Sequence, residues 1–245
     1  MIRHVAALIL AALVSVGPAR ADDPVSLELI FETGSSPAQE IAEIFRARVE
    51  PYARDAQIEV NNDRVRVFFW GVQQPEWLIG RLSMTGRFGL HEVVTEAKDC
   101  TSPPAGLLCA KPFWDDGPAL YLKAATLTNT AIEDARYGDD HTGLPAIHVR
   151  LTADAAGAFS DMTSRLIGER IAIVFEGGII TDPVVQTPIL GGAMMITGDF
   201  EGEEAEDIAS LLMLPALPEN VRLISQRTGP VAEPPRKSLL QRLFD

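Results

Sequence analysis

The 245 residues carry 34 acidic against 21 basic side chains, a formal charge of −13, which disfavours nucleic acid and anionic lipid surfaces as partners. The length suits one large domain or two small ones, and at 47% hydrophobic the chain can bury a sizeable core. Two cysteines allow one disulfide, and their neighbourhood lacks the further ligands a zinc site needs.

Residues 1–21 read as a secretory leader. Arg3 and His4 give a basic start, Val5 to Val16 are almost wholly apolar, and Gly17-Pro18 break the run before the A-x-A site Ala19-Arg20-Ala21. Cleavage after Ala21 and a periplasmic location are expected. The apolar run spans about 18 Å, short of the ~30 Å hydrocarbon core. No later segment approaches ~18 consecutive apolar residues, so no membrane span is expected. Loss of Arg3 and Arg20 leaves 19 basic residues against 34 acidic ones, a charge near −15.

After the leader, residues 25–32 alternate as a strand, with Val25, Leu27, Leu29 and Phe31 on one face. Ser36-Pro37-Ala38-Gln39 predicts a helix start: Ser36 as cap, Pro37 first, and Gln39 closing a capping box. Ile41, Ile44, Phe45, Val49 and Tyr52 form its apolar stripe, and Pro51 ends or bends it. Residues 57–60 and 64–70 flank the hairpin turn Asn61-Asn62-Asp63. A helix over 74–82 and a strand over 87–94 complete a β-α-β-β-α-β order. The expected fold class is α+β, with a ferredoxin-like base unit over 22–95.

Residues 96–117 read as a proline-rich linker and the domain boundary. The linker holds Cys100 and Cys109. In an exported chain these are expected to pair, closing a loop of about ten residues and contributing roughly 2–3 kcal/mol. The spacing is not C-x-x-C, which argues against a redox centre.

Residues 118–230 are expected to form a second, mixed α/β unit. It holds a strand at 146–151 and a helix from Thr152 to Gly168 with Ala155, Phe159, Met162 and Leu166 on one side. A hairpin follows at 171–180 around Glu176-Gly177-Gly178. Next come a strand within 188–200, a helix at 203–213 burying Ala205, Ile208, Ala209 and Leu212, and a strand at 221–226. Residues 231–245 read as a tail, with Glu233-Pro234-Pro235 spacing off Leu239, Leu240, Leu243 and Phe244.

Tests for chemistry return little. Gly191-Gly192 and Gly198 fail as a phosphate loop, since no lysine follows and Asp199 repels phosphate. There is no G-x-S-x-G elbow. His91 and His148 fall in strands as surface or half-buried side chains, and Asp139-Asp140-His141 reads as a solvated turn. Glu201, Glu203, Glu204, Glu206 and Asp207 are accounted for by a helix N-terminus, where the dipole favours negative charge. No catalytic residue, cofactor or metal site is expected, and the chain reads as a non-enzyme.

The second half resembles the large periplasmic domain of SecD, an accessory subunit of the bacterial Sec translocase. The resemblance rests on residues 167–192, IGERIAIVFEGGIITDPVVQTPILGG, then ITGDF at 196–200, EEAEDIASLL at 203–212, ALP at 216–218 and QRTGP at 226–230. In that order they are similar to the family's head subdomain, IGK-LAIVLDG-V-SAPVI-EPI-GG, ISG-F, EEA-DLA-LL, ALP and ERTVGP. IFRARV at 44–49, NDRV at 62–65 and GVQQPE at 71–76 resemble the family's ILRNRV, DDRI and GIQDPE. The likeness runs from about residue 37 to 230. Met213-Leu214-Pro215 stands where the family has Arg-Ala-Gly, and Glu201 where a threonine caps the last helix.

In SecD the head is followed by transmembrane helices that work with SecF in a proton-coupled step. The resemblance therefore implies a stand-alone exported copy of head and base, without a proton path of its own. It would act as a binding or protein-export accessory module, touching unfolded exported polypeptide or Sec translocase components. The alternative is an adaptor docking to a membrane complex through its tail. Candidate contacts are Met194, Met195, Met213, Leu214, Leu240 and Phe244; the adjacent Met194 and Met195 point to opposite faces of a strand.

Overall fold

The alternation at the start of the chain is a strand, β1 (Val25–Glu32), with Leu27, Leu29 and Phe31 buried as expected. The structure is a computed structural model and describes residues 24–50, 56–114 and 116–230. Tyr52, Pro51, the leader, the tail and with it Leu240 and Phe244 lie outside the described residues. After β1 come α1 (Ala38–Val49), the hairpin β2 (Gln57–Asn61) and β3 (Arg64–Val72), and α2 (Pro75–Ser83). Asn62 takes a left-handed φ of 53° in the hairpin turn, a conformation asparagine tolerates.

Ser36 does not cap α1. Pro37 occupies that place without a side-chain cap, and Gln39 donates to Glu43 instead of closing a box. The Ser36 hydroxyl donates to Asn220 Oδ1 at 3.1 Å, a tertiary contact that outcompetes the local one.

The first sheet has the order β13-β1-β3-β2, all antiparallel, where β13 is Arg222–Pro230. Here the prediction needs correction. The strand expected at 87–94 is β4 (Phe88–Ala97), and it leaves the first sheet for the second unit. The fourth place is filled by the strand predicted at 221–226, which had been assigned to the second unit. Phe88 and Leu90 explain the departure, because they are buried in the second core beside Phe175. Ile41, Phe45, Val65, Val67, Leu78 and Leu82 fill the first core together with Leu217, which arrives from beyond the second unit.

The second unit is a mixed α/β body, rich in strands. The stretch read as linker holds the end of β4 and β5 (Leu108–Pro112). Composition misled there in part: residues 98–107, 113–114 and 116–118 lie outside strands, but β5 itself does not. β6 (Ala119–Leu122), β7 (Leu127–Thr128) and β8 (Ile132–Asp139) follow, in a region the periodicity left unread. Then come β9 (Pro145–Leu151), α3 (Ala153–Arg165), the hairpin β10 (Ile171–Phe175) and β11 (Gly178–Thr181), β12 (Ala193–Thr197) and α4 (Gly202–Leu212). Thr152 caps α3 by accepting from the Ala155 N–H. Glu201 and Glu204 form a capping box on α4.

β4 pairs with β10 over its first half and with β6 over its second. With β5 and β11 these strands close a ring of five, β10-β11-β5-β6-β4. Ala110, Leu120, Leu122, Ala172 and Ile179 form a small core with Val93 and Val174, so each strand of the ring contributes to it. Beside the ring lies an open three-stranded sheet, β12-β9-β8, whose inner face shares the second core with α3 and α4.

A candidate binding cleft between the two units

Two chain segments join the units, near Thr85 and near Ala216, and the Leu217 N–H donates to the Thr85 carbonyl. Arg48 of α1 reaches them from the first unit and is wholly buried. Its guanidinium donates to the carbonyls of Arg81 (3.2 Å), Met84, Thr85 (2.9 Å) and Pro215 (3.4 Å). Burial pushes the Arg48 pKa down to about 10, with Glu176 opposing and Arg81 assisting. From the other side the Glu176 carboxylate, at the β10–β11 turn, accepts from the Thr85 N–H (2.9 Å), the Thr85 hydroxyl (2.7 Å), Gly86 N–H and Arg87 N–H. The seam is thus held by one buried cation and one carboxylate, each bonded to backbone.

Above it α2 and α4 are latched. Trp77 Nε1 donates to Asp207 Oδ2 at 2.9 Å, and Arg81 donates to Asp207 (3.4 Å) and Ser210 (2.8 Å) while lying 5.5 Å from the Trp77 ring centroid. This latch bounds a cavity of about 240 Å³. Trp77 and Met84 come from the first unit, Phe113, Trp114, Phe175 and Leu211 from the second, and Glu204 and Asp207 supply carboxylates. Phe113 and Trp114 meet at 4.8 Å with their rings tilted by 57°, and Trp114 meets Phe200 edge-on at 5.4 Å. Aromatic walls with acidic groups beside them suit apolar and basic side chains. The volume falls below the ~300–1,000 Å³ of drug-sized pockets.

A second cavity, about 530 Å³, lies at the ring's mouth. His91 lines it and is buried, more deeply than the surface or half-buried place expected of it. Its Nδ1 lies 2.8 Å from the Lys123 carbonyl, which can only accept, so Nδ1 carries the proton. Nε2 sits over Gly89, where a Cβ would stand 2.3 Å away. The neighbouring Glu92 carboxyl is held below its ordinary range by hydrogen bonds from Lys123 and Arg165.

Cys100 and Cys109 are disulfide-bonded. Asp140 closes the β8–β9 turn by accepting from Thr142 and Leu144, and these bonds hold its pKa at about 2. Among the described residues, no group of three or more His, Cys, Asp or Glu gathers as a metal site. No described helix is long and apolar enough to cross a membrane.

The four described candidate contacts are not brought together. Met194 is half-buried against the second core while Met195 is 40% exposed on the opposite face of β12. Met213 lies across the sheet from them, its Sδ accepting from the Ala135 N–H of β8 at 3.0 Å, and Leu214 beside it is half-buried. Sequence reasoning missed Trp77, Arg81 and Trp114, and read Asp207 only as an acidic residue at a helix N-terminus. Trp77 and Arg81 stand one helical turn apart, a signal available in the sequence, but their partner Asp207 is 130 residues from Trp77.

Residues 108–219 match the family described as SecDF, P1 head subdomain. The SecD translocase subunit of Rhodobacter capsulatus is 32% identical over 197 residues, covering 78% of this chain and 36% of the relative. That of Acetobacter pasteurianus is 32% identical over 195 residues, covering 77% and 37%. The chain therefore spans a little over a third of the length of these relatives. A solved structure of "a membrane component SecDF that enhances protein export" superposes with a TM-score of 0.65 at 20% identity, covering 82% of this chain and 99% of that one. SecDF in its super-membrane-facing form gives a TM-score of 0.67 at 20% identity, covering 86% and 32%. Both likenesses bear on the fold.

Proposed function

We propose, from the match of residues 108–219 to the SecDF P1 head family and the likeness of the wider chain to SecD, that this protein is a non-enzymatic periplasmic accessory module of protein export that holds segments of unfolded polypeptide. The observation that carries the reading is the cleft between the units. Trp77, Phe113 and Trp114 offer adaptable apolar surface beside Glu204 and Asp207. Weak contacts of this kind hold a passing chain without selecting its sequence. Sec translocase components are the partners the relatives' names suggest.

We further read the first unit as a ferredoxin-like base closed by β13, with residues 85–216 inserted as the head. The antiparallel order β13-β1-β3-β2 with two helices supports this. Titration of a fluorescein-labelled, denatured secretory protein tests the function. Saturable binding at roughly tens of micromolar, weakened by Trp114→Ala, is expected. A flat titration at those concentrations overturns it.

A further inference from the structure

The three-stranded sheet has two edges, and the molecule treats them differently. Hydrogen-bond parity fixes which backbone groups face outward. The Leu151 N–H donates to the Gly192 carbonyl, and Leu151 stands opposite Gly192 in the β9–β12 register. Residues 192, 194 and 196 therefore turn their N–H and C=O toward β9, and Ala193, Met195 and Thr197 turn theirs away. The same parity on the other side turns Ala135 of β8 outward, and its N–H is taken by Met213 Sδ. No hydrogen bond is made by the outward groups of Ala193, Met195 and Thr197 among the described residues.

Other edges carry the usual protection: Glu59 on β2, and Arg222, Arg227 and Pro230 on β13. β12 reads Ala-Met-Met-Ile-Thr, with neither charge nor proline. At its N-terminal end Gly192, at φ +64°, packs so closely on α3 that a Cβ would stand 2.6 Å from Ala156 Cβ.

We infer that the outer edge of β12 is a strand-addition site, at which an extended, uncharged segment of another polypeptide pairs its backbone with Ala193, Met195 and Thr197; this deepens the polypeptide-holding function proposed above and rests on it. Open N–H and C=O groups at two-residue spacing are matched by an extended backbone, whatever its sequence. Met195 supplies a soft apolar neighbour for the side chain opposite. A second copy is the poorer occupant. One five-residue strand offers an edge about 17 Å long, far from the ~800 Å² per partner of a stable interface, and two bodies of charge −13 repel.

The probe is a fluorescein-labelled peptide of about ten residues with valine and threonine alternating, compared with the same peptide N-methylated at every second amide. Unmodified peptide is expected to bind saturably, and N-methylation to weaken it about tenfold or more. Met195→Pro removes an outward N–H that the β9 ladder does not use, and is expected to weaken binding by a similar factor while leaving the melting curve near wild type. Should that variant unfold, the two peptides compared on unaltered protein still decide the matter. Equal binding of both peptides overturns the inference, as does a concentration-dependent dimer abolished by Met195→Pro. Failure of both peptides also overturns it; the function proposed above survives if the denatured protein still titrates and falls if that is flat too.

Discussion

The interiors of the two units and the seam between them are made of opposite materials. Inside the first unit Phe31 and Phe45 meet at 4.4 Å among fully buried aliphatic side chains. At the seam and the latch above it the buried charged groups are Arg48 and Arg81, bonded to carbonyls and to Asp207. Apolar packing is non-directional and tolerates small slips, whereas hydrogen bonds to charge hold only in one geometry. The difference teaches that the interior of each unit rests on apolar packing, while their mutual placement draws on directed polar contacts.

Substitutions can sharpen or break that contrast. Phe45→Ala is expected to cost about 3–5 kcal/mol, read as a lower denaturant midpoint. Arg48→Met leaves the carbonyls of Arg81, Met84 and Pro215 short of a donor, Thr85 keeping the Leu217 N–H, and should cost about 2–4 kcal/mol. Its signature is local: faster amide exchange at Thr85, Gly86 and Leu217 with β1 unaffected. Uniform acceleration across the base would instead make Arg48 part of the core. Opening the disulfide by Cys109→Ser should cost up to roughly 2–3 kcal/mol and lower the melting temperature. Asp207→Asn weakens the α2–α4 latch and should cost about 0.5–1.5 kcal/mol, with a change in Trp77 fluorescence as its readout.

The smallest effect is one of pH. The Glu92 carboxyl is held below its ordinary value, so its contribution is complete above that value and fades as pH falls through the lower, folded one. Wild type should lose stability across that acidic window more steeply than Glu92→Gln. Parallel curves would dismiss the Lys123 and Arg165 bonds as a source of stability.

Local structure was largely legible in the sequence, and assembly was not. Leu27, Leu29 and Phe31 alternate and Ala205, Ile208 and Leu212 recur at helical spacing because those periods follow from backbone geometry. Nothing in the alternation of 87–94 says which sheet receives it, and its burial on both faces was decided by Phe175 and Ala172, some 80 residues later. β6 and β7, of four and two residues, are too short to show a period. The cleft was hidden for the same reason: Trp77 and Asp207 meet only through tertiary structure. Met195 was legible as one of two opposed methionines, while the open edge beneath it depends on β9 and Gly192.

The late arrival of β13 has a consequence for how the chain acquires its shape. Ser26 and Pro230 are hydrogen-bonded although 204 positions apart. A chain delivered from its N-terminus would present β1 with one side unpaired until residues 222–230 had emerged. Such long-range closure is slow and leaves an aggregation-prone edge in the interval. Delivery order, more than final stability, therefore sets the hazard for this protein, and a permuted chain placing 222–230 ahead of β1 should refold faster with the same end state.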